Sequence, residues 1–295
     1  MELRDIEIFL TLAEELHFGR TAERLHLTQA RVSQAIKKQE RLIGAALFDR
    51  TSRRVALTEV GRQLYTDLKP IRRSLDESLE RAKLAAKGRT DVLHIGMISA
   101  NALDLRHFWE TFRARHRQWE LRLRHNPFVD AFGPLRRREI DLLISWLPVE
   151  EPDLTVGPVI FTESRVIAVS ADHELASAGP VPLEVLGNYT VAAGPRLPEY
   201  WEDAFHPFRT PRGRPIPREG VVMNMDELNT QIATGQAVPL LGEHASRYYA
   251  RPDLAYLPVT DAPALRWGLV WRDNEETAPI RAFAQVVRDL GTRAL

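Results

Sequence analysis

The chain has 295 residues, 44% of them hydrophobic and 27% charged, with 40 Lys+Arg balanced by 40 Asp+Glu; that length suits two or three domains, each able to bury a core. Cysteine is absent, which excludes disulfides, thiolate catalysis, Fe–S clusters and thiol redox sensing. No stretch approaches the roughly 18 apolar residues of a membrane helix and no basic-apolar leader opens the chain, so the expectation is a soluble, cytoplasmic protein.

A first helix is predicted over Leu3–Leu16, where Leu3, Ile6, Phe9, Leu10 and Ala13 recur at three and four residues as one buried stripe. A short amphipathic segment, Arg20 to Leu25, follows, then a tight break at His26-Leu27 and a longer helix from Thr28. The Thr28 hydroxyl can cap that helix, and Gly44 ends it, because glycine enters the left-handed cap without strain. On a helical wheel Val32, Ala35, Ile36, Gln39, Leu42 and Ile43 share the inner side. Ala30, Gln34, Lys37 and Arg41 lie opposite, flanked by Arg31, Ser33 and Lys38. Amides, cations and small residues are the types that read base edges and hold phosphates. Two short helices joined by a tight turn, the second polar and basic outward, predict a helix-turn-helix. Charge agrees, since residues 1–90 carry 18 Lys+Arg against 13 Asp+Glu and the remainder 22 against 27.

Leu47-Phe48 and Val55-Ala56-Leu57 flank a polar tip carrying Arg50, Arg53 and Arg54. That pattern predicts a small β-hairpin, a wing whose arginines reach phosphates or a minor groove; the alternative is a solvated loop. Thr58 to about Lys87 reads as one long helix, capped by Thr58, with a seam of Val60, Leu64, Leu68, Ile71, Leu75 and Leu79. Such a helix outruns an 80-residue domain, so a second chain is the expected cover and dimerisation the expected result. Pro70 lies within the seam, where a kink or a cost of about 3 kcal/mol is expected. Lys87-Gly88-Arg89-Thr90 marks the helix end and a domain boundary.

From Asp91 strands and helices alternate. Strands are predicted at Val92–Ile98, Trp119–Leu123 and Leu142–Ile144, with helices after the first strand (Leu105, Phe108, Trp109 and Phe112 inward, capped by Ser99 or Asn101) and at Phe132–Glu139. This is a βαβαβ unit on a parallel sheet. A second such series is expected from Ser164–Ser170, with strands near Tyr189–Ala193, Gly220–Met223 and Ala237–Leu241. Its helices fall near Glu199–Phe205, Asp226–Thr234 and Glu243–Ala250, and Thr210–Pro217 is a proline-rich loop. Trp267–Trp271 returns as a strand and Pro279–Leu290 is the last helix.

The run FGRTAERLHLTQARVSQAIKKQERLIGAALFDRTSRRVALTEVG, from Phe18 to Gly61, resembles the LysR-type transcriptional regulators, and VLHIGM, REIDLLIS, ADHELA and LRWGLVWR extend the likeness over essentially the whole chain. The resemblance implies an α plus α/β architecture: a winged helix-turn-helix (1–58), a linker and dimerisation helix (59–89), and a two-lobed effector domain (90–295) resembling periplasmic binding proteins. It places one lobe at 90–163 with 267–295 and the other at 164–266. It further implies homodimers and homotetramers on interrupted palindromes of promoter DNA, a small-molecule effector, and RNA polymerase as a candidate partner, without a cofactor. Thr28, Gln29, Ser33, Arg50, Arg53 and Arg54 match positions that contact DNA in the family. Two departures stand out: Ala30-Arg31 replaces the usual proline-alanine, and Gln34 replaces the usual arginine. Both fall on or beside the outward face, so base preference is expected to differ there while phosphate contacts persist.

For the effector, the cleft at the C-terminal ends of the strands is the default site. Ser99, Ala100 and Asn101 could offer N–H groups to a carboxylate at a helix start. Phe128, Trp146, Ala193-Gly194 and Met223-Asn224-Met225 occupy the equivalent loops, with Trp146 and the methionines making part of the pocket apolar. Capping and ordinary packing are the alternatives for these residues, and a surface role for nearby Arg124 and Arg196. No H-E-x-x-H, G-x-S-x-G or P-loop element is present, so neither a metal site nor an enzyme is supported. An architectural DNA binder whose C-terminal region only oligomerises is the other competing reading.

Overall fold

The structure, a computed structural model, describes residues 2–50, 55–86, 90–194 and 197–295. They belong to two compact units, 1–88 and 89–295. The first unit comprises α1 (Leu3–Glu15), α2 (Phe18–Arg24), α3 (Gln29–Ile43), the antiparallel pair β1 (Phe48–Arg50) and β2 (Val55–Leu57), and α4 (Glu59–Ala86). Polar side chains start the helices: His17 Nδ1 accepts the Arg20 N–H, Thr28 Oγ1 the Arg31 N–H and Thr58 Oγ1 the Gly61 N–H. Gly44, at φ 79°, closes α3 in the left-handed region.

Ile8, Phe9, Leu12, Val32, Ile36 and Leu47 form the core of this unit. Gln39 is buried with them, and its Nε2 donates to the Asp5 carbonyl at 2.9 Å, fastening α3 to α1. Leu42 and Ile43, expected in the same buried stripe, are instead 67% and 38% exposed, because the core closes at Gln39 and the last turn of α3 runs past it. Across 28 residues, about 42 Å, α4 continues through Pro70. Leu64 and Leu68 pack on the core, whereas Ile71 and Leu79 stay exposed. The expected helix end at Lys87-Gly88-Arg89 lies outside the described residues.

In the second unit the order is β3 (Asp91–Met97), α5 (Arg106–Arg115), β4 (Trp119–His125), α6 (Gly133–Arg136), β5 (Leu142–Trp146), β6 (Leu154–Glu163) and β7 (Arg165–Ser170). Then come β8 (Val191–Ala193), α7 (Glu199–Phe205), β9 (Arg218–Val221), α8 (Met225–Ala233), β10 (Leu240–Gly242), α9 (Ala245–Tyr248) and β11 (Leu254–Pro258). The chain finishes with β12 (Leu265–Arg272), α10 (Ala278–Leu290) and β13 (Arg293–Ala294).

One sheet has the order β13-β6-β12-β5-β3-β4. Its β3, β4 and β5 are parallel, as a βαβαβ unit requires, while β12 runs antiparallel to both β5 and β6. Apolar strands such as β5 are buried throughout, and Phe108, Phe112 and Phe283 fill the layer between sheet and helices. The second lobe corrects an expectation. It is not a second parallel series: β7 pairs antiparallel with β10 and β11, and only β8 and β9 run parallel. Neither β11, which pairs with β7, nor the ten-residue β6, which pairs with β12 in the first sheet, was expected. Also corrected is the capping role of Ser99 and Asn101. Helix α5 begins at Arg106 after Leu105, without a side-chain cap, so neither residue opens a helix. Glu243–Ala250 shrinks to the single turn of α9.

Candidate functional site

Along α3 the two faces separate cleanly. Val32, Ala35, Ile36 and Gln39 are buried, whereas Gln29, Ala30, Arg31, Gln34, Lys37 and Arg41 are exposed and Ser33 is half-buried. Lys38 is held by the buried Asp5 at 3.4 Å. By contrast, the side chains of Arg31, Gln34 and Lys37 make no hydrogen bond or ion pair with another described residue. Thr28 and Gln29 sit at the exposed start of the helix. The tight turn before it rests on His26, at φ 53°, and on the Leu27 N–H bonded to the Ala22 carbonyl. An amide and two cations thus project from one rigid helix face, the chemistry that reads base edges and neutralises phosphates. Arg53, Arg54 and the side chain of Arg50 lie outside the described residues.

The second unit encloses a cavity of about 310 Å³ between its lobes. It opens at the C-terminal ends of β3, β4 and β5, the usual ligand position in an open α/β sheet. Ser99, Phe128, Trp146, Gly194, Met223, Asn224 and Met225 all line it; Ala100, Asn101 and Ala193 do not. Asn101 is fully buried without a hydrogen-bond partner for its amide, and Asn224 spends its side chain capping α8 through the Glu227 N–H. Phe205, His206, His244, Tyr249 and Trp267 complete the walls. Sequence patterns gave no signal for these, because each owes its place to the packing of lobe on lobe. Among the described residues no group of His, Asp and Glu is arranged to hold a metal ion.

Buried polar groups frame the cavity. The Glu163 carboxylate, with no exposed side-chain surface, accepts the Trp267 indole N–H at 2.7 Å and the His244 backbone N–H at 2.9 Å. His244 Nδ1 lies 2.9 Å from the same carboxylate, which fixes the ring proton on that nitrogen. Arg165, 3% exposed, donates to the carbonyls of Leu241 and Phe205. Burial pushes its guanidinium down to about 10, with Glu163 opposing. Arg218 pairs with Glu202 at 2.6 Å and donates to the His206 carbonyl. Although His206 keeps some surface as a residue, its Nε2 is covered and has no partner. Burial first, then Arg165 and Arg218, push its ring down to about 3.

A pH dependence follows. The unfolded chain protonates His206 near pH 6.5, but the folded chain resists protonation down to about 3. Stability is therefore complete above pH 6.5 and falls as pH drops, by up to about 1.4 kcal/mol per pH unit. His107 and His116, lowered by burial as well, add to the same slope. Urea midpoints measured between pH 7.5 and 5 should decline, and His206→Gln should flatten most of that decline. An unchanged slope in the variant would show that His206 is not the group responsible.

Comparison with known proteins now bears on both sites. Residues 3–62 match the family model described as the bacterial regulatory helix-turn-helix protein, lysR family, and residues 86–292 match the LysR substrate binding domain. The chain is 26% identical to the HTH-type transcriptional regulator IlvR of Caulobacter vibrioides, over 99% of each chain. It is 27% identical to the HTH-type transcriptional regulator BudR of Raoultella terrigena, over 97% of this chain and 100% of the relative. Among solved structures, CbnR, a LysR family transcriptional regulator, superposes with a TM-score of 0.70 at 20% identity, covering 98% of this chain and 99% of that one. Full-length CbnR complexed with its target DNA gives 0.69 at 18% identity, over 99% and 100%. At such identities the structural likeness is one of fold.

Proposed function

This chain belongs to the LysR family of bacterial helix-turn-helix transcriptional regulators, and from that premise we propose which residues carry each half of its work. It binds DNA through the winged helix-turn-helix and senses a small molecule in the second unit. For the first half we assign base and phosphate contacts to Thr28, Gln29, Ala30, Arg31, Ser33, Gln34 and Lys37, with Arg50, Arg53 and Arg54 in the wing. The observation that carries this assignment is the outer face of α3, where Arg31, Gln34 and Lys37 are exposed opposite a buried Val32-Ala35-Ile36 face. For the second half we assign the inter-lobe cavity, with Ser99, Phe128, Trp146, Gly194, Met223, Asn224 and Met225 on its walls.

We further read residues 1–58 as the DNA-binding domain, 59–89 as the linker, 90–163 with 267–295 as one lobe, and 164–266 as the other. The exposed Ile71 and Leu79 on α4 support a helix that pairs with a second copy, and a tetramer of such dimers fits two half-sites. Among the described residues no helix is long and apolar enough to cross a membrane, which supports a cytoplasmic location. RNA polymerase is a natural further partner of a regulator, and the named relatives support a regulator rather than an enzyme.

Gel shifts on duplexes selected from a random pool by the full chain test the DNA assignment. Arg31→Ala and Lys37→Ala should each weaken binding and reduce the slope of log affinity against log salt by about 1. Gln34→Ala should instead relax preference at one base pair, worth about 1–3 kcal/mol of discrimination. Wild-type affinity and salt slope in all three variants would remove α3 from the interface.

A further inference from the structure

We propose that Glu40, near the end of α3, is a positioning residue for DNA binding: its carboxylate fixes the wing against α3, and the wing arginines contribute only while it does so. The proposal rests on the reading of α3 and the wing as the DNA-contacting surface. Glu40 is half-buried, one turn beyond Lys37. Its Oε1 accepts the backbone N–H of Leu47 at 3.1 Å and that of Phe48 at 3.4 Å, where the chain turns from α3 into β1. Leu47 is fully buried and Phe48 nearly so. Leu47 also precedes the β1–β2 ladder, whose first pair is Phe48 with Leu57. A buried N–H outside a ladder needs another acceptor, and an anionic one makes the stronger bond.

The hairpin itself makes this anchor matter. Strands β1 and β2 have three residues each and form a sheet of two strands. Such a hairpin is marginal alone, so the bonds at its base decide where its tip stands. Among the described residues two side chains bond that base. Thr58, just ahead of α4, donates its hydroxyl to the Ala46 carbonyl at 2.8 Å, and its N–H to the Leu47 carbonyl at 3.0 Å. Glu40 is the other, and of the two it alone comes from α3. Apolar packing adds adhesion, with Phe48 edge-on to Phe9 at 5.6 Å between centroids, but such contact is not directional.

Charge gives the role a signature. DNA is a polyanion, so a carboxylate beside the reading face opposes binding, and removing its charge should by itself tighten the complex. Positioning predicts a loss instead, and one that follows the reach of the side chain rather than its charge.

Three variants of the full-length protein separate reach from charge in gel shifts on the selected duplexes. Glu40→Gln removes the charge and keeps the acceptor oxygen, Glu40→Asp keeps the charge and withdraws the oxygen by one methylene, and Glu40→Ala removes both. Gln should bind within about twofold of wild type, whereas Asp and Ala should lose at least about fivefold and lower the slope of log affinity against log salt by about 1–2, as lost wing–phosphate contacts would. In an Arg53→Ala/Arg54→Ala background the Asp and Ala substitutions should cost less than about twofold more. Circular-dichroism melts check the fold, and if the alanine variant melts below the assay temperature, the comparison of Gln with Asp decides. Wild-type or tighter binding by Asp and Ala, or a Gln variant as weak as Asp, overturns the proposal. Losses that add in full to those of the arginine pair place the effect outside the wing and overturn it too, while leaving the wing as a contact. Wild-type affinity and salt slope for Arg53→Ala/Arg54→Ala would remove the wing from the interface and overturn both the proposal and the reading beneath it.

Discussion

Trp201→Ala should destabilise the 89–295 unit by about 3–5 kcal/mol, the range for deleting a large aromatic from a packed interior. Trp201 belongs by chain order to the second lobe, at the start of α7, yet its fully buried side chain lies in the core of the first. It stacks on Trp146 with ring centroids 3.6 Å apart and planes 12° from parallel, and it meets Phe132 at 5.2 Å. Each indole N–H of the pair donates to the other residue's backbone carbonyl, at 3.0 and 3.2 Å. Truncation therefore opens a void and removes one of the two side-chain donors to the Trp146 carbonyl, which keeps the Ser145 hydroxyl. Trp201→Phe keeps a ring in place and should cost less, since it forfeits mainly that hydrogen bond and some volume. All six tryptophans lie beyond residue 89, so fluorescence-detected urea unfolding reports on this unit alone. A loss below about 1 kcal/mol for Trp201→Ala would mean the lobes are not joined through this side chain. Because Trp146 also lines the cavity, the same variant should weaken ligand binding.

That stack marks where sequence reading stops. Helix α3 was legible because its signals are local: Thr28 caps it, Gly44 ends it, and Val32, Ala35 and Ile36 recur at helical spacing. The same periodicity carried on to Leu42 and Ile43, where it misled, because spacing says which residues share a face but not where the neighbouring helix ends. In the second unit β3 and β5 are apolar runs that announce themselves, whereas β6 hides behind Gly157 and Pro158. Its pairing with β12 is a long-range event without a local signature. The cavity divides the same way. Ser99, Trp146 and Met223 follow strand ends and could be named from topology. His206, Phe205 and Tyr249 arrive through the packing of α7 and α9, which no spacing encodes. Trp201 itself sits on a legible helix, but its burial in the opposite lobe is visible only in three dimensions.

Glu163→Ala should cost a further kind of stability, about 3–5 kcal/mol, through an uncompensated buried charge rather than a void. Glu163 ends β6 at the point where the chain leaves the first sheet, with Ser164 alone between it and β7. Its carboxylate gathers donors from both lobes: Trp267 on β12, and the backbone and ring of His244 beyond β10. Gly242 permits the approach, since a Cβ there would sit 2.2 Å from the Glu163 Oε1. Removing the carboxylate leaves three N–H groups unsatisfied and deprives the buried Arg165 of the anion that opposes its desolvation. Glu163→Gln preserves shape and one acceptor but turns an NH2 toward remaining donors, so it should fall between wild type and alanine. The charge argument is separable from the hydrogen-bond argument by a double-mutant cycle. If Arg165 depends on Glu163, then Arg165→Met should recover part of the loss caused by Glu163→Ala, with a coupling of about 1–3 kcal/mol in urea unfolding. Additive losses would assign the whole effect to the Trp267 and His244 donors. Either way the carboxylate stands beside both strands that connect the lobes. A ligand that shifts Trp267 or His244 on the cavity wall therefore acts directly on the group that sets how the lobes meet.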